Sequence, residues 1–274
     1  MLHEIEPLYL DNSFEYIKPE DGDFCICFSY GNIMVGDGDS ARFPVYEELK
    51  FLIDRSVYLF SIGGHKYFLC QLREDDVVGY QFVTIKRFMS LKPKAVVYAG
   101  MTAYHLAVWY RDTKFCGRCG HPLVHDHKER MMYCENCKNA IYPKIMPAVI
   151  VGVIHDDKIL VTKYRDRERE KSGYALIAGF TEIGETAEET VAREVMEETG
   201  VKVKNIKYFG TQPWGVAQDL LLGFFCELDG EPKIKMDDQE LSYASFVSRD
   251  ELEVEDHDVS MTNRMLYLFA NGQV

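Results

Sequence analysis

The chain has 274 residues, of which 47% are hydrophobic and 27% are charged, and its formal net charge is −13 at pH 7. This length suffices for two domains, and the hydrophobic fraction excludes a chain that is disordered throughout. The acidic balance argues against broad nonspecific binding to nucleic acid. The sequence has no run of 18 apolar residues, and its N-terminal segment is acidic. We therefore expect no signal peptide, no transmembrane helix and a cytoplasmic location.

Residues 1–110 are expected to form a β-rich N-terminal domain. Two hairpins are predicted because pairs of apolar segments flank glycine-containing turns. These pairs are 24–30 with 33–35, and 57–62 with 67–72. A further strand is predicted over 80–85, and helices are predicted over 45–53 and 95–111. We find no catalytic motif in this part of the sequence.

Residues 111–144 contain four cysteines in the pattern C-x2-C-x14-C-x2-C, namely Cys116, Cys119, Cys134 and Cys137. Each C-x2-C turn can present two thiolates, and two such turns close a tetrahedral site of four sulfurs. The pattern predicts a structural zinc ribbon, because four protein ligands leave zinc no open position for catalysis. A redox pair and disulfides are the alternatives, and an intracellular chain disfavours disulfides.

Two further features concern charge and the remaining cysteines. Residues 111–144 carry seven lysines and arginines against four acidic residues. Such a segment could attract an anionic substrate or an RNA end, and a solvated surface is the alternative. Buried thiols are expected at the cysteines that lie in apolar segments, which are Cys25, Cys27, Cys70 and Cys226.

Residues 145–274 mix predicted strands and helices. A hairpin is predicted over 148–155 and 158–163, with Asp156-Asp157 at its turn. Further strands are predicted over 174–178, 204–211 and 220–228, and a helix over 260–270. The apolar stripe on this helix is expected to face the core or a dimer surface; it consists of Met261, Met265, Leu266 and Phe269.

A second helix is predicted after Thr186, which can serve as the N-cap, with Glu189 completing a capping box and Gly200 ending the helix. Glu194, Glu197 and Glu198 stand at i, i+3 and i+4, so they share one face of this helix. Like charges on one face repel one another, and a cation would offset that repulsion. Mg²⁺ prefers carboxylate oxygens, and metal ions help water to attack phosphate groups.

The whole segment from Gly179 to Val201 reads G-x5-E-x7-R-E-U-x-E-E-x-G-U, where U is apolar. It resembles the Nudix box of the nucleoside-diphosphate hydrolases. A solvated acidic helix is the alternative, and the matching glycines, arginine and first glutamate disfavour it. Together with the four cysteines, the segments 115–121, 141–144, 178–185 and 212–214 resemble those of the NADH pyrophosphatases, which also remove NAD caps from RNA.

The resemblance implies a multidomain α+β protein. Its expected parts are the β-rich N-terminal domain over 1–110, a Cys₄ zinc ribbon over 111–144, and a Nudix α/β/α sandwich with a mixed sheet over 145–274. The implied activity is metal-dependent hydrolysis of NAD(H) to NMN(H) and AMP by a homodimer, with the 5′ end of RNA as a further partner. The alternatives are another dinucleotide or ADP-ribose as substrate, or a non-catalytic regulator that senses nucleotides or binds nucleic acid. Such regulators usually lose box glutamates, which are all present here.

The same resemblance assigns roles to individual residues. Mg²⁺ or Mn²⁺ would be held by Ala178 through its carbonyl and by Glu194, Glu197, Glu198 and Glu240. Glu197, Glu198 and Glu240 are the implied catalytic residues, and either Glu198 or Glu240 would accept the proton of the attacking water. Substrate would be contacted by Glu129, Tyr142, Phe180, Gln212 and Trp214. Phe180 and Trp214 could stack on a base, and core packing is the alternative for both.

The sequence departs from the family motif at one place. After Gln212-Pro-Trp214 the family has P-F-P-x-S, whereas this chain has Gly215-Val-Ala-Gln-Asp219. One aromatic residue is lost, and an acidic residue replaces the serine. The residues implied in hydrolysis are unaffected, so the departure leaves open which substrate the site prefers.

Overall fold

The computed structural model describes residues 1–38, 40–165, 173–257 and 259–274. The chain divides into two compact units. The first comprises Leu2–Lys144 and Trp214–Gln218, and the second comprises Met1, Ile145–Pro213 and Asp219–Val274. None of the described helices combines the length and hydropathy that a membrane span requires.

The first unit is built mainly of short strands. Its elements in chain order are β1 Leu10–Asp11, β2 Phe24–Ile26, β3 Phe28–Ser29, β4 Asn32–Gly36, α1 Tyr46–Leu49, β5 Ile53–Ile62, β6 His65–Leu72, β7 Tyr80–Val83, α2 Ile85–Phe88, α3 Lys94–Asp112, β8 Val124–His125, β9 Met132–Tyr133 and β10 Ala140–Ile141. They form sheets of order β1-β5-β6-β2, β3-β4-β7 and β10-β9-β8. Residues of the first two of these sheets and of α3 share one hydrophobic core.

Most predicted elements of this unit are confirmed. The two hairpins form as β3/β4 and β5/β6, and α3 covers the helix expected over 95–111. The strand expected over 24–30 is interrupted at Cys27, where the chain passes from one sheet to the next. The strand expected over 80–85 ends at Val83, because the Thr84 side chain accepts a hydrogen bond from the amide of Arg87 and so caps α2.

The helix predicted over 45–53 is wrong at its C-terminal end. The helix α1 stops at Leu49, and Ile53 already pairs with Leu72 in β5/β6. The apolar spacing of 45–53 suits a helix, but the end of this segment enters strand β5 and pairs with β6 in the long hairpin. Tertiary pairing here overrides local propensity.

The second unit contains one mixed sheet. Its elements are β11 Met146–His155, β12 Lys158–Tyr164, β13 Ile177–Phe180, α4 Ala187–Thr199, β14 Lys202–Trp214, β15 Asp219–Asp229, β16 Leu241–Ser248, a 3₁₀ turn Arg249–Glu251 and α5 Met261–Ala270. The strand order is β14-β15-β11-β12-β16, and β13 also pairs with β11. The pair β11/β15 is parallel, whereas β11/β12, β11/β13 and β12/β16 are antiparallel.

Helices cover both faces of this sheet. Val149 and Val151 of β11 share a core cluster with Val191 and Val195 of α4. On the opposite face, a Cβ atom added at Gly223 of β15 would lie 2.8 Å from the sulfur of Met261, in α5. Successive strand residues point to opposite faces, so the unit is the expected α/β/α sandwich. The apolar stripe of α5 belongs to the core, since its four side chains are 0–4% exposed.

Two strand predictions in this unit need correction. The strand expected over 174–178 is shifted, because β13 runs over Ile177–Phe180 and pairs with Ala148–Val151. The strand β16 was not predicted. Half-buried and exposed residues dominate its interior, so its sequence lacks a clear alternation, and its pairing with β12 decides its conformation.

Candidate active site and cysteine cluster

The helix α4 is held at both ends as the sequence predicts. The Thr186 side chain accepts a hydrogen bond from the Glu189 amide at 3.2 Å, and the Glu189 carboxylate accepts one from the Thr186 amide at 2.7 Å. Gly200 ends the helix with a φ of +70°, the left-handed conformation that glycine adopts without strain. Because Val191 and Val195 bury one side of the helix, its rotation about its axis is determined.

Arg193 organises the acidic residues around this helix. Its guanidinium donates two hydrogen bonds to Glu185, at 2.6 and 2.9 Å. It also donates to Glu194 at 2.7 Å and to Glu197 at 3.0 Å. A further bond to the carbonyl of Phe180, at 2.9 Å, connects the helix to the end of β13. Hydrogen bonds from Arg193 lower the pKa of Glu185 to about 2, so that carboxylate stays ionised.

Glu194 lies directly against the backbone of Gly179. A Cβ atom built at Gly179 would lie 2.0 Å from the carboxyl carbon of Glu194. No side chain fits there unless the glutamate moves. The glycine that opens the motif is therefore required by the close approach of Glu194, and its φ is not in the left-handed region.

Replacing Gly179 by Ala should displace Glu194. We expect a loss of about 1–3 kcal/mol in the free energy of unfolding, as for other overpacked sites. A misplacement of about 1 Å should lower kcat about 100-fold. Urea melts and steady-state kinetics measure the two effects. G210A is the matched control, since the nearest atom to its added Cβ is 4.0 Å away. Equal kinetics for G179A and G210A would contradict the steric argument.

Glu198 is the most deeply buried of the three helix glutamates, at 3% exposed. Its Oε2 atom has no hydrogen-bond partner among the described residues. Burial, together with the charges of Glu194 and Glu240, raises the pKa of Glu198 to about 8. A backbone hydrogen bond from Ala178 acts in the opposite direction. A carboxylate that is buried among negative charges and has one unpartnered oxygen fits a divalent cation as the missing partner.

Glu240 is brought to the same cluster by tertiary structure. The amide of Asp237 donates to the carbonyl of Glu198 at 2.9 Å, and the amide of Arg165 donates to the carbonyl of Glu240 at 2.9 Å. These bonds attach the turn before β16 to the end of α4 and to the end of β12. The charge of Glu240 consequently raises the pKa of both Glu194 and Glu198.

The four cysteines of the ribbon converge more tightly than the glutamates. Among the described residues, they are the group whose potential metal-binding atoms all lie within 4.8 Å of one another. The sulfurs of Cys116 and Cys137, and those of Cys119 and Cys134, are 3.5 Å apart. Tetrahedral zinc with bonds of about 2.3 Å would place sulfurs about 3.8 Å apart, so the cluster fits zinc.

The thiols of the cluster differ in their ionisation. A backbone hydrogen bond from His121 lowers the pKa of Cys119 to about 5. Desolvation and the neighbouring sulfurs raise the pKa of Cys137 to about 12. A divalent cation would allow all four sulfurs to ionise together. The cysteines form no disulfide in this structure, and the sulfur separations of 3.5 Å within the cluster exceed a disulfide bond of about 2.05 Å.

Comparison with known proteins assigns both regions. Residues 144–267 match the NUDIX domain, and residues 111–142 match the NADH pyrophosphatase zinc ribbon domain. The chain thus contains a domain of the NUDIX family and a zinc ribbon domain of the NADH pyrophosphatase type. Members of this family use divalent metals, which agrees with the acidic cluster on α4.

Relatives and solved structures agree with this assignment. The chain is 43% identical over 148 residues to proteins of Salmonella typhi and Salmonella heidelberg, each named NAD-capped RNA hydrolase NudC. Each match covers 54% of this chain and 56% of the relative, so the chain spans little more than half the length of these relatives. A NUDIX hydrolase structure from Nitrosomonas europaea matches with a TM-score of 0.50 at 20% identity, covering 58% of this chain and 92% of that one. That likeness supports the Nudix fold.

The residues expected to contact a Nudix substrate fall into both units. In the first unit, the hydroxyl of Tyr142 donates to the Glu129 carboxylate at 2.6 Å, and Trp214 is half-buried. In the second unit, Phe180 is 49% exposed, as an aromatic ring available for stacking would be. Gln212, in contrast, is fully buried, and its amide donates to the carbonyl of Val259 at 2.7 Å.

The raised pKa of Glu198 predicts how stability depends on pH. The unfolded chain ionises this residue near its ordinary pKa of 4.5, whereas the folded protein does so near 8. The contribution of Glu198 to stability is therefore largest below pH 4.5, and this contribution is lost as the pH rises toward 8. We expect a decrease of a few kcal/mol in the metal-free protein.

Urea melts at several pH values, with Mg²⁺ and Mn²⁺ omitted and zinc retained, would measure this decrease. The variant E198Q should show a shallower pH dependence, because glutamine does not ionise. Added Mg²⁺ should restore stability at pH 8 in the wild type. Identical pH profiles for the wild type and E198Q would contradict the assignment of this effect to Glu198.

Proposed function

We propose that this chain hydrolyses the pyrophosphate bond of NAD(H), giving NMN(H) and AMP, with Mg²⁺ or Mn²⁺ as cofactor. The observation that carries the proposal is the buried carboxyl of Glu198, whose Oε2 has no partner among the described residues and which lies close to Glu194 and Glu240 within a complete Nudix box. The relatives named as NAD-capped RNA hydrolases support this choice of substrate class.

The metal site of the proposal comprises the Ala178 carbonyl, Glu194, Glu197, Glu198 and Glu240. A divalent ion bound there would neutralise charge on the pyrophosphate and acidify a water molecule. Arg193 holds Glu194 and Glu197 in place, and Gly179 allows Glu194 to lie against β13. The cysteine cluster, with zinc bound, is structural in this scheme because all four positions around the metal are filled.

In the reaction, the oxygen of water forms a bond to one phosphorus atom of the pyrophosphate. The bond from that phosphorus to the bridging oxygen breaks, and the bridging oxygen leaves with the other phosphate. Glu198 or Glu240 accepts the proton of the attacking water. Burial and like charge favour protonation of Glu198, so it can hold a proton near neutral pH.

Five residues are proposed to contact the substrate. Phe180 offers an exposed ring for stacking, and Glu129, Tyr142 and Trp214 are the other contacts we propose. Gln212 is proposed to act from a buried position.

NAD-capped RNA is a further substrate, and the active form is a homodimer, which light scattering would test. A cytoplasmic location would keep the eight thiols reduced. The division into 1–110, 111–144 and 145–274 is part of the same proposal.

Product analysis tests the proposed function. The substrates are NADH, NAD⁺, ADP-ribose, a diadenosine polyphosphate and NAD-capped RNA, each with Mg²⁺ or Mn²⁺. NMN(H) and AMP should accumulate from NADH and NAD⁺, and E198Q should abolish both products, which excludes a contaminating hydrolase. If ADP-ribose or a diadenosine polyphosphate is hydrolysed in preference to NAD(H), that compound, and not NAD(H), is the substrate. If the wild type hydrolyses none of them, the enzyme assignment is wrong, and filter binding to nucleic acid would test a regulatory role.

A further inference from the structure

Asp219 is a buried acid outside the metal site. It is 7% exposed, and its Oδ1 atom has no hydrogen-bond partner in the part of the chain that the structure describes. Burial raises the pKa of Asp219 to about 6, with no hydrogen bond or cation contributing. The carboxylate is therefore ionised near neutral pH without a partner, an arrangement that is costly unless a ligand completes it.

The sheet register places Asp219 on the same face as Phe180. Leu221 and Phe180 both pair with Ala148 of β11, and Asp219 pairs with Met146. Directly paired residues share a face, as do residues two apart on one strand. The Cα atoms of Phe180 and Asp219 should thus lie about 12 Å apart, from two strand spacings and two residue steps. A base stacked on Phe180, with one hydrogen bond beyond it, covers such a distance.

Phe180 also connects this face with the metal site. Arg193 binds the carbonyl of Phe180, and Glu194 lies against the adjacent Gly179 on the α4 face of the sheet. The ring of Phe180 points to the opposite face, toward α5. A dinucleotide whose pyrophosphate lies at the glutamates can thus place a base on Phe180.

A second acceptor without a donor lies on the Asp219 side of the sheet. Gln212 donates to the carbonyl of Val259, which fixes the orientation of its amide group, and leaves Oε1 buried and unpartnered among the described residues. Val259 directly precedes the N-cap of α5, Ser260. Gln212 and Asp219 therefore both face the layer of α5. Two acceptors without donors match a group with two N–H bonds.

We propose that Asp219, assisted by Gln212, accepts hydrogen bonds from the exocyclic amino group of the base stacked on Phe180, and excludes a carboxylate from that position. This inference rests on the proposed function. It makes Asp219 a specificity-determining residue at a position where the family motif has serine. The amino group can come from the carboxamide of nicotinamide or from adenine, since both present an N–H₂ group.

Two analogues of NAD⁺ distinguish these sources. Nicotinic acid adenine dinucleotide carries a carboxylate in place of the carboxamide, and nicotinamide hypoxanthine dinucleotide carries a carbonyl oxygen in place of the adenine amino group. If nicotinamide meets Asp219, kcat/KM for the acid analogue should be about 100-fold below that for NAD⁺, because like charges repel in a buried site. If adenine meets Asp219, the hypoxanthine analogue should be the one rejected.

The variant D219N should reverse this discrimination. Its amide can donate to a carboxylate or a carbonyl, so kcat/KM for the rejected analogue should rise at least about tenfold while that for NAD⁺ falls. A gain on one substrate is not expected from a purely structural role. D219S, with the serine of the family motif, is a second variant in case D219N folds poorly. D229N is the matched control on the same strand. It should leave the ratio of kcat/KM for each analogue to kcat/KM for NAD⁺ unchanged.

Two results would overturn the inference. One is a wild type that hydrolyses both analogues within about threefold of NAD⁺, a measurement that requires no variant. The other is a folded D219N whose ratios equal those of D229N while NAD⁺ is still hydrolysed. Failure of the proposed function is distinguishable from both, since the wild type would then hydrolyse no dinucleotide at all.

Discussion

Replacing Glu198 by Gln is expected to lower kcat for NAD⁺ hydrolysis about 1000-fold, the order of magnitude of a lost general acid–base group. The reason is structural as well as chemical. Glu198 is the buried carboxyl of the cluster, and its Oε2 has no partner among the described residues. Glutamine keeps the shape of the side chain but can neither ionise nor accept a proton from water.

The matched control for this experiment is E188Q. Glu188 lies on the same helix and is exposed, so the same chemical change there should leave kcat within about twofold of the wild type, as for most surface substitutions. The fold of E198Q should be intact. At pH 8, with Mg²⁺ and Mn²⁺ omitted and zinc retained, its melting temperature should equal or exceed that of the wild type, because an unfavourable buried charge is removed. Wild-type kcat in a folded E198Q would refute a catalytic role for Glu198.

Replacing Cys134 by Ser should release zinc and unfold the ribbon. Cys134 is fully buried among the four sulfurs. Structural zinc sites supply about 10–16 kcal/mol of folding free energy in isolated zinc-finger peptides. The three short strands of the ribbon, two residues each, have a small core of their own. Metal analysis should therefore show zinc in the wild type and none in C134S, with a lower melting temperature.

Cys226→Ala provides the control for zinc loss. Cys226 is also a buried thiol, but it belongs to the hydrophobic core of the second unit. Its replacement should lower stability by about 1 kcal/mol and leave the zinc content unchanged. Proteolysis should cleave C134S between residues 111 and 142 and leave C226A intact there. Unchanged zinc in C134S would show that the four cysteines do not form the metal site.

Local sequence determined several features of this protein. The Thr186–Glu189 capping box and Gly200 define the ends of α4, and the i, i+3, i+4 spacing places three glutamates on one side. These features depend on backbone geometry within a few residues, so they can be predicted without the fold. The two C-x2-C turns likewise predict a convergent cysteine cluster, which the structure contains.

Tertiary structure decided the features that depend on distant parts of the chain. Two backbone hydrogen bonds bring Glu240 to the cluster: the amide of Asp237 donates to the end of α4, and the amide of Arg165 donates to the carbonyl of Glu240. The sequence indicated a role for Glu240 only through family resemblance. The raised pKa of Glu198 arises from burial against the sheet. In the sequence, Asp219 departs from the family motif. Its burial and the face of the sheet on which it lies follow from the pairing of β15 with β11. Burial and electrostatic interaction depend on which segments pack together, and local sequence does not specify that packing.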